Sequence, residues 1–183
     1  LTDVRDLTAA VARSRRLLDL DADPVAVDER LVADSKLALL VRRRPGLRSP
    51  GAVDGFEMAV RAVLGQQVSV AGALTVTAAL AEREGIPLTV DDEDLAHVFP
   101  RADAIAALDP TALAMPEQRS RALVAVAAAV AEGRLDLDGG TDRDHTRATL
   151  LGIPGIGPWT ADYVMMRALG DPDVLAVGDL VVR

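Results

Sequence analysis

The stretch LGIPGIGPWTADYVMMRALG (residues 151–170) places Pro154, Gly155, Gly157 and Pro158 within five positions, then passes at once into helical spacing. Gly155 and Gly157 permit positive φ and leave their amides uncovered by side chains. Pro158 suits the first position of a helix, where its missing N–H costs nothing. Read outward, the stretch is a tight connection between two helices, with Ile156 as an apolar plug between the glycines. It gathers free N–H groups at a helix N-terminus, an arrangement that takes an anion and grips one phosphate without reading base sequence. Gly and Pro alone would also make a plain short connection. The phase of both glycines and the proline favours a helix-hairpin-helix contact to a DNA backbone.

Helix signals continue upstream. Leu7, Val11, Ser14 and Leu18 fall on one face of a first helix. Asp23–Pro24 then reads as N-cap plus first helical residue of a second stretch reaching Leu31. The run KLALLV ends before Pro45–Gly46. Phe56, Val60, Val63 and Leu64 share a helical face that Gly65 interrupts, and Ser69 caps a further helix closed by Gly85. DDEDL (residues 91–95) reads as an exposed charged loop. A short helix around RADAIAAL, a start at Asp109–Pro110 and a helix opened by Pro116 follow, the last with Gly133 beyond its C-terminus. Period-two alternation is almost absent, so the fold class is all-α, with roughly eight to ten short helices. The expected division is N-terminal helices over residues 1–44, packing on a hairpin-containing domain over 45–183, with the hairpin at 151–163.

Composition narrows the chemistry. A chain of 183 residues suffices for one large domain or two small ones. Half the residues are hydrophobic but only 2% aromatic, so the core is aliphatic, built from Ala, Val and Leu. With no cysteine there is no disulfide, thiol nucleophile or cysteine-held iron–sulfur cluster. No apolar run is long enough to cross a bilayer and no signal-peptide pattern opens the chain, which reads as a soluble, cytoplasmic protein. The net charge of −8 argues against nucleic-acid binding when taken alone. RRRPGLR (residues 42–48) and EQRSRA (residues 117–122) are candidates for a local basic face, or are simply solvated. The start at Leu1 and the stop at VVR inside an apolar run read as a piece of a longer chain, truncated at its C-terminus.

The aromatic residues are Phe56, Phe99, Trp159 and Tyr163. Trp159 and Tyr163 are four apart and share a helix face behind the hairpin. They are either core anchors or a stacking surface for a base, and a cationic alkylated purine gains from the ring face as well as from stacking. Asp179, twenty residues beyond Trp159, stands in the apolar run VLAVGDLVVR. It reads as the N-cap of a helix beginning LVVR, or as a carboxylate that stabilises an oxocarbenium-like transition state while a glycosidic bond breaks. The two roles are compatible. Gln66 and Gln67, at a helix junction, either enter the gap left by an extruded nucleotide or bridge local backbone.

Taken together, PGLRSPGAVDGFEMAVRAVLGQQVSVAGA, residues 151–163 and AVGDLVVR resemble the helix-hairpin-helix DNA glycosylases, in the DNA-3-methyladenine glycosylase II branch. The resemblance runs from about Pro45 to Arg183 and more loosely to the N-terminus. It implies Asp179 as the catalytic aspartate and Trp159 and Tyr163 as base-pocket aromatics. The amides of Gly155, Gly157 and Thr160 would hold a phosphate beside Ile156. Carbonyls of Leu151, Ile153 and Ile156 would coordinate a structural alkali-metal ion, with no other cofactor required. Gln67, next to Gln66, falls where relatives wedge a larger apolar group into the DNA stack. The implied enzyme is a cytoplasmic, nucleoid-associated bacterial monomer that acts on double-stranded DNA with a flipped damaged base, without a membrane. In the lyase branch the position of Trp159 is a Schiff-base lysine, whereas the only lysine here is Lys36, so hydrolysis by water is expected. The alternative is a non-catalytic helix-hairpin-helix DNA-binding or regulatory module that keeps only the phosphate grip.

Overall fold

The computed structural model of the chain describes residues 3–89, 96–176 and 179. The charged segment 91–95 and the helix expected over 180–183 lie outside the described residues. The chain divides into two compact units, Leu1–Val53 and Asp54–Arg183.

In the first unit, Asp3 caps a short 3-10 turn, Val4–Asp6, that leads into α1 (Leu7–Leu17). The Asp23 carboxylate accepts the amides of Val25 at 3.0 Å and Ala26 at 3.2 Å, and so starts α2 (Pro24–Leu31) with Pro24 in its first turn. α3 (Ala38–Arg43) stops at Arg44, before Pro45. The following turn is tied back to α2 by the Gly46 amide, which donates to Asp28 Oδ2 at 2.8 Å. None of these helices holds a buried residue.

The second unit carries the core. α4 (Gly55–Leu64) opens on Asp54, which accepts the Glu57 amide at 2.8 Å, and ends at Gly65. α5 (Val70–Glu84) starts from Ser69, whose hydroxyl accepts the Gly72 amide at 3.1 Å. Two-residue strands follow, β1 (Ile86–Pro87) and β2 (His97–Val98), paired antiparallel with Ile86 opposite Val98. This pair departs from an entirely helical reading, since two residues are too few to show alternation. Then come α6 (Ala102–Ala106), a 3-10 turn over Pro110–Ala112 begun by Asp109, and α7 (Glu117–Ala131), with Gly133 beyond it at φ +70°. α8 (Arg143–Leu151) is capped by Asp142, which accepts the His145 amide at 3.1 Å, and α9 (Pro158–Ala168) closes the described helices.

Small aliphatic side chains explain how these helices meet. Val60, Val63 and Leu64 of α4, Ala122, Leu123, Val126 and Ala127 of α7, and Ala161, Val164, Met165 and Ala168 of α9 are all buried in one cluster. The alanines let helix axes approach closely, while each buried Leu or Val contributes about 1.5–3 kcal/mol of transfer free energy. α9 packs on both α4 and α8. The hairpin between α8 and α9 is therefore anchored through its second helix to the centre of the core.

Candidate active site

The hairpin occupies residues 152–157. Ile153 and Ile156 turn inward and are buried, and the Ile156 amide closes the turn by donating to the Ile153 carbonyl at 3.0 Å. Gly155 has φ +92°, a left-handed conformation that an L side chain rarely adopts. A Cβ there would also stand 2.9 Å from Ala122 Cβ on α7, so the turn sits directly on that helix. Gly157 differs from expectation. It is the N-cap of α9 at φ −90°, ψ 173°, an extended residue that needs no positive φ, and nothing lies within 4 Å of a Cβ placed on it. Among the described residues no protein group accepts the amides of Gly155 or Gly157. Arg147 of α8 pairs with Asp162 of α9 at 2.9 Å and fastens the two arms together.

The α4–α5 junction reaches this turn through a side chain. Gln66 Nε2 donates to the Gly155 carbonyl at 3.1 Å and to Thr160 Oγ1 at 2.9 Å, with Thr160 itself buried. Gln67 is exposed and adopts φ +56°, which no side-chain cap explains. The two glutamines thus face different surroundings: Gln66 braces the hairpin from inside, and Gln67 projects outward beside it. Gln66→Ala leaves the Gly155 carbonyl and the Thr160 hydroxyl without this donor. The expected loss is about 1–2 kcal/mol, read as a lower thermal unfolding midpoint. A midpoint equal to that of the parent would show the brace to be dispensable.

Trp159 and Tyr163 stack on each other, centroids 5.3 Å apart and planes 16° from parallel. No ring fits between them, so only the outer faces of the pair are left for a further stacking partner. Trp159 Nε1 donates to Asp179 Oδ2 at 3.2 Å, which brings the carboxylate to the edge of the indole. Asp179, Trp159, Thr160, Gly155, Gln66 and Gln67 line one open cavity of about 870 Å³, together with Arg119 at the start of α7. A second, more apolar cavity of about 290 Å³ is walled by Met58, Ala62, Val68, Leu74, Trp159 and Tyr163. Gly65, Val68 and Trp159 are common to both.

The residues singled out in the sequence are thereby placed. Asp179, Trp159, Gln66, Gln67, Gly155 and Thr160 share the larger cavity, Tyr163 joins it through the stack, and Ile156 is the buried plug of the turn. Leu151 and Gly157 sit exposed at either end of the hairpin. Local sequence gave no sign of the link from Gln66 to a turn 89 residues away, nor of which arginine in EQRSRA faces the cavity. Arg121 pairs with Glu117, four residues before it, at 2.5 Å, and Arg119 lines the cavity.

Residues 1–54 match the family model described as AlkA N-terminal domain. The whole chain is 48% identical to a Mycobacterium tuberculosis protein named probable bifunctional transcriptional activator/DNA repair enzyme AlkA, of which it covers 37%. Over 94% of its length it is 40% identical to DNA-3-methyladenine glycosylase 2 of Escherichia coli, of which it covers 60%. The chain thus spans between about a third and three fifths of the length of these curated relatives. Among solved structures, 3-methyladenine DNA-glycosylase from Archaeoglobus fulgidus aligns over 99% of this chain and 62% of that one, at 26% identity and a TM-score of 0.81. Hairpin, core and relatives agree: the chain belongs to the helix-hairpin-helix DNA glycosylase superfamily, in its DNA-3-methyladenine glycosylase II family.

Proposed function

We propose that this chain carries the catalytic centre of a DNA base-excision repair glycosylase that hydrolyses the N-glycosidic bond of alkylated purines. The observation that supports this most is the Trp159–Asp179 hydrogen bond, which sets a carboxylate beside an aromatic face in the cavity bordered by the hairpin. A nucleotide is flipped out of the duplex, at least cost when its base is damaged or mispaired. The hairpin amides hold a backbone phosphate, and Gln67 stands where it can occupy the vacated stack. The cationic purine lies on the outer face of the Trp159–Tyr163 pair, favoured over a neutral base by cation–π attraction.

Bond cleavage then follows the charge. The C1′–N bond breaks with its electron pair going to the base, which leaves neutral, so no general acid is needed. Positive charge develops on the sugar, where Asp179 stabilises it. Water adds to C1′ and gives up a proton, producing free base and an abasic site. No lysine stands at the position of Trp159 to form an imine, which favours hydrolysis over strand cleavage. The carbonyls of Leu151, Ile153 and Ile156 are neutral, hard donors suited to an alkali-metal ion. Such an ion would stiffen the turn and take no part in the chemistry.

The test is release of free base from N-methylated duplex DNA compared with unmodified duplex. Release from the methylated duplex only is expected, leaving strands intact until treated with alkali. Equal binding to both duplexes with no base released would instead leave a DNA-binding module.

A further inference from the structure

The chain carries net charge −8, the hairpin amides are neutral, and Asp179 adds a negative charge to the cavity. A polyanion meeting such a surface needs a cation at the point of contact. Most arginines of the second unit are committed elsewhere: Arg61 to Glu57, Arg83 to Glu84, Arg101 to Asp103, Arg121 to Glu117, Arg134 to Glu132 and Arg147 to Asp162. Arg119 is different. It is half-buried, lines the same cavity as Asp179 and Gly155, and has no carboxylate partner among the described residues. No other cationic side chain among the described residues lines that cavity. The turn of α7 that carries it lies against the hairpin, since Gly155 rests on α7 beside Ala122 and the Gln118 carbonyl.

We infer that Arg119 is a DNA-phosphate contact of this site: its guanidinium takes a phosphodiester oxygen on the α7 side of the cavity, in addition to the phosphate held by the hairpin amides. The inference rests on the glycosylase reading above and assigns that site its cation. A guanidinium withdrawn partly from water and left unpaired is unfavourable until an anion arrives. Arg suits that anion because its planar fork matches the geometry of phosphate oxygens. Such a contact fixes register on the duplex and carries no sequence information.

The experiment measures affinity for a fluorescent duplex containing a tetrahydrofuran abasic site between about 50 and 200 mM salt. It compares the parent chain with Arg119→Gln, Arg119→Lys and Arg143→Gln, the last an exposed arginine lining a different cavity. Arg119→Gln is expected to bind about tenfold more weakly, as for one charge-assisted hydrogen bond. Its slope of log K against log salt should be shallower by about 0.9, whichever base stands opposite the site. Arg119→Lys should restore the slope, and Arg143→Gln should leave it unchanged. A slope unaltered in Arg119→Gln, or not restored by Arg119→Lys, overturns the assignment. So does a loss that varies with the opposite base, which would make Arg119 a base reader. If the parent itself shows no salt-dependent binding, the glycosylase reading falls together with the inference. If the parent binds and Arg119→Gln matches it, only the role of Arg119 falls.

Discussion

Asp179→Asn releases methylated purine from N-methylated duplex DNA about a thousandfold more slowly than the parent, with its unfolding midpoint unchanged within a few degrees. The expected size comes from charge alone. At about 4 Å and an effective dielectric near 20, a carboxylate and an oxocarbenium-like centre attract by ~4 kcal/mol, and the full difference would be roughly a thousandfold in rate. The fold is spared because the Asn side-chain oxygen can still accept the Trp159 Nε1 hydrogen that Asp179 Oδ2 accepts at 3.2 Å. Affinity for an abasic duplex should not fall, since removing a negative charge cannot weaken attraction to phosphate. Base release at the parental rate would remove Asp179 from catalysis and leave it as a partner of the indole.

Gly155→Ala is expected to cost about 3 kcal/mol of stability, a sum of two effects that differ in kind. A left-handed φ of +92° strains a residue with a Cβ by about 1–2 kcal/mol. The new methyl would also lie 2.9 Å from Ala122 Cβ, and forcing an extra carbon into a packed contact typically costs about 1–3 kcal/mol. For a chain of this size the midpoint should drop by about 10 °C. Gly157→Ala provides the contrast. With φ −90° and open space around its Cβ position, it should unfold within about 1 kcal/mol of the parent. Its methyl would nevertheless stand beside the exposed N-terminus of α9, so DNA affinity should fall without a matching loss of stability. If both substitutions lowered stability equally, the conformational distinction between the two glycines would be wrong.

That distinction marks where the sequence could be read and where it could not. Helix starts were legible because a cap is a bond between near neighbours: Asp23 to Val25 and Ala26, Ser69 to Gly72. The all-helical fold followed from the same signals with apolar phase, and the hairpin from its glycine and proline spacing. The backbone of Gly157 could not be read from sequence because glycine is compatible with every backbone region, so its presence does not say which one is occupied. The strands at Ile86–Pro87 and His97–Val98 are set by their antiparallel pairing with each other, not by their own two-residue patterns. Within the site, Trp159 and Tyr163 stood out as rare residue types, and Asp179 as a carboxylate in an apolar run. Gln66 was visible as a polar residue at a helix junction, but its partners, the Gly155 carbonyl and the Thr160 hydroxyl, and the place of Arg119 in the cavity depend on tertiary packing with no local trace.

The scarcity of aromatics has an optical consequence. Trp159 is the sole tryptophan of the chain and stacks on its sole tyrosine, with its N–H bonded to Asp179. All tryptophan emission therefore originates inside the cavity, at the face on which a base would lie. A ligand stacking there should quench or shift that emission directly, with no background from elsewhere. Leu1–Val53 contains no aromatic residue, so unfolding of that unit alone would pass unseen by intrinsic fluorescence unless it disturbed the indole, and would have to be followed by far-ultraviolet dichroism.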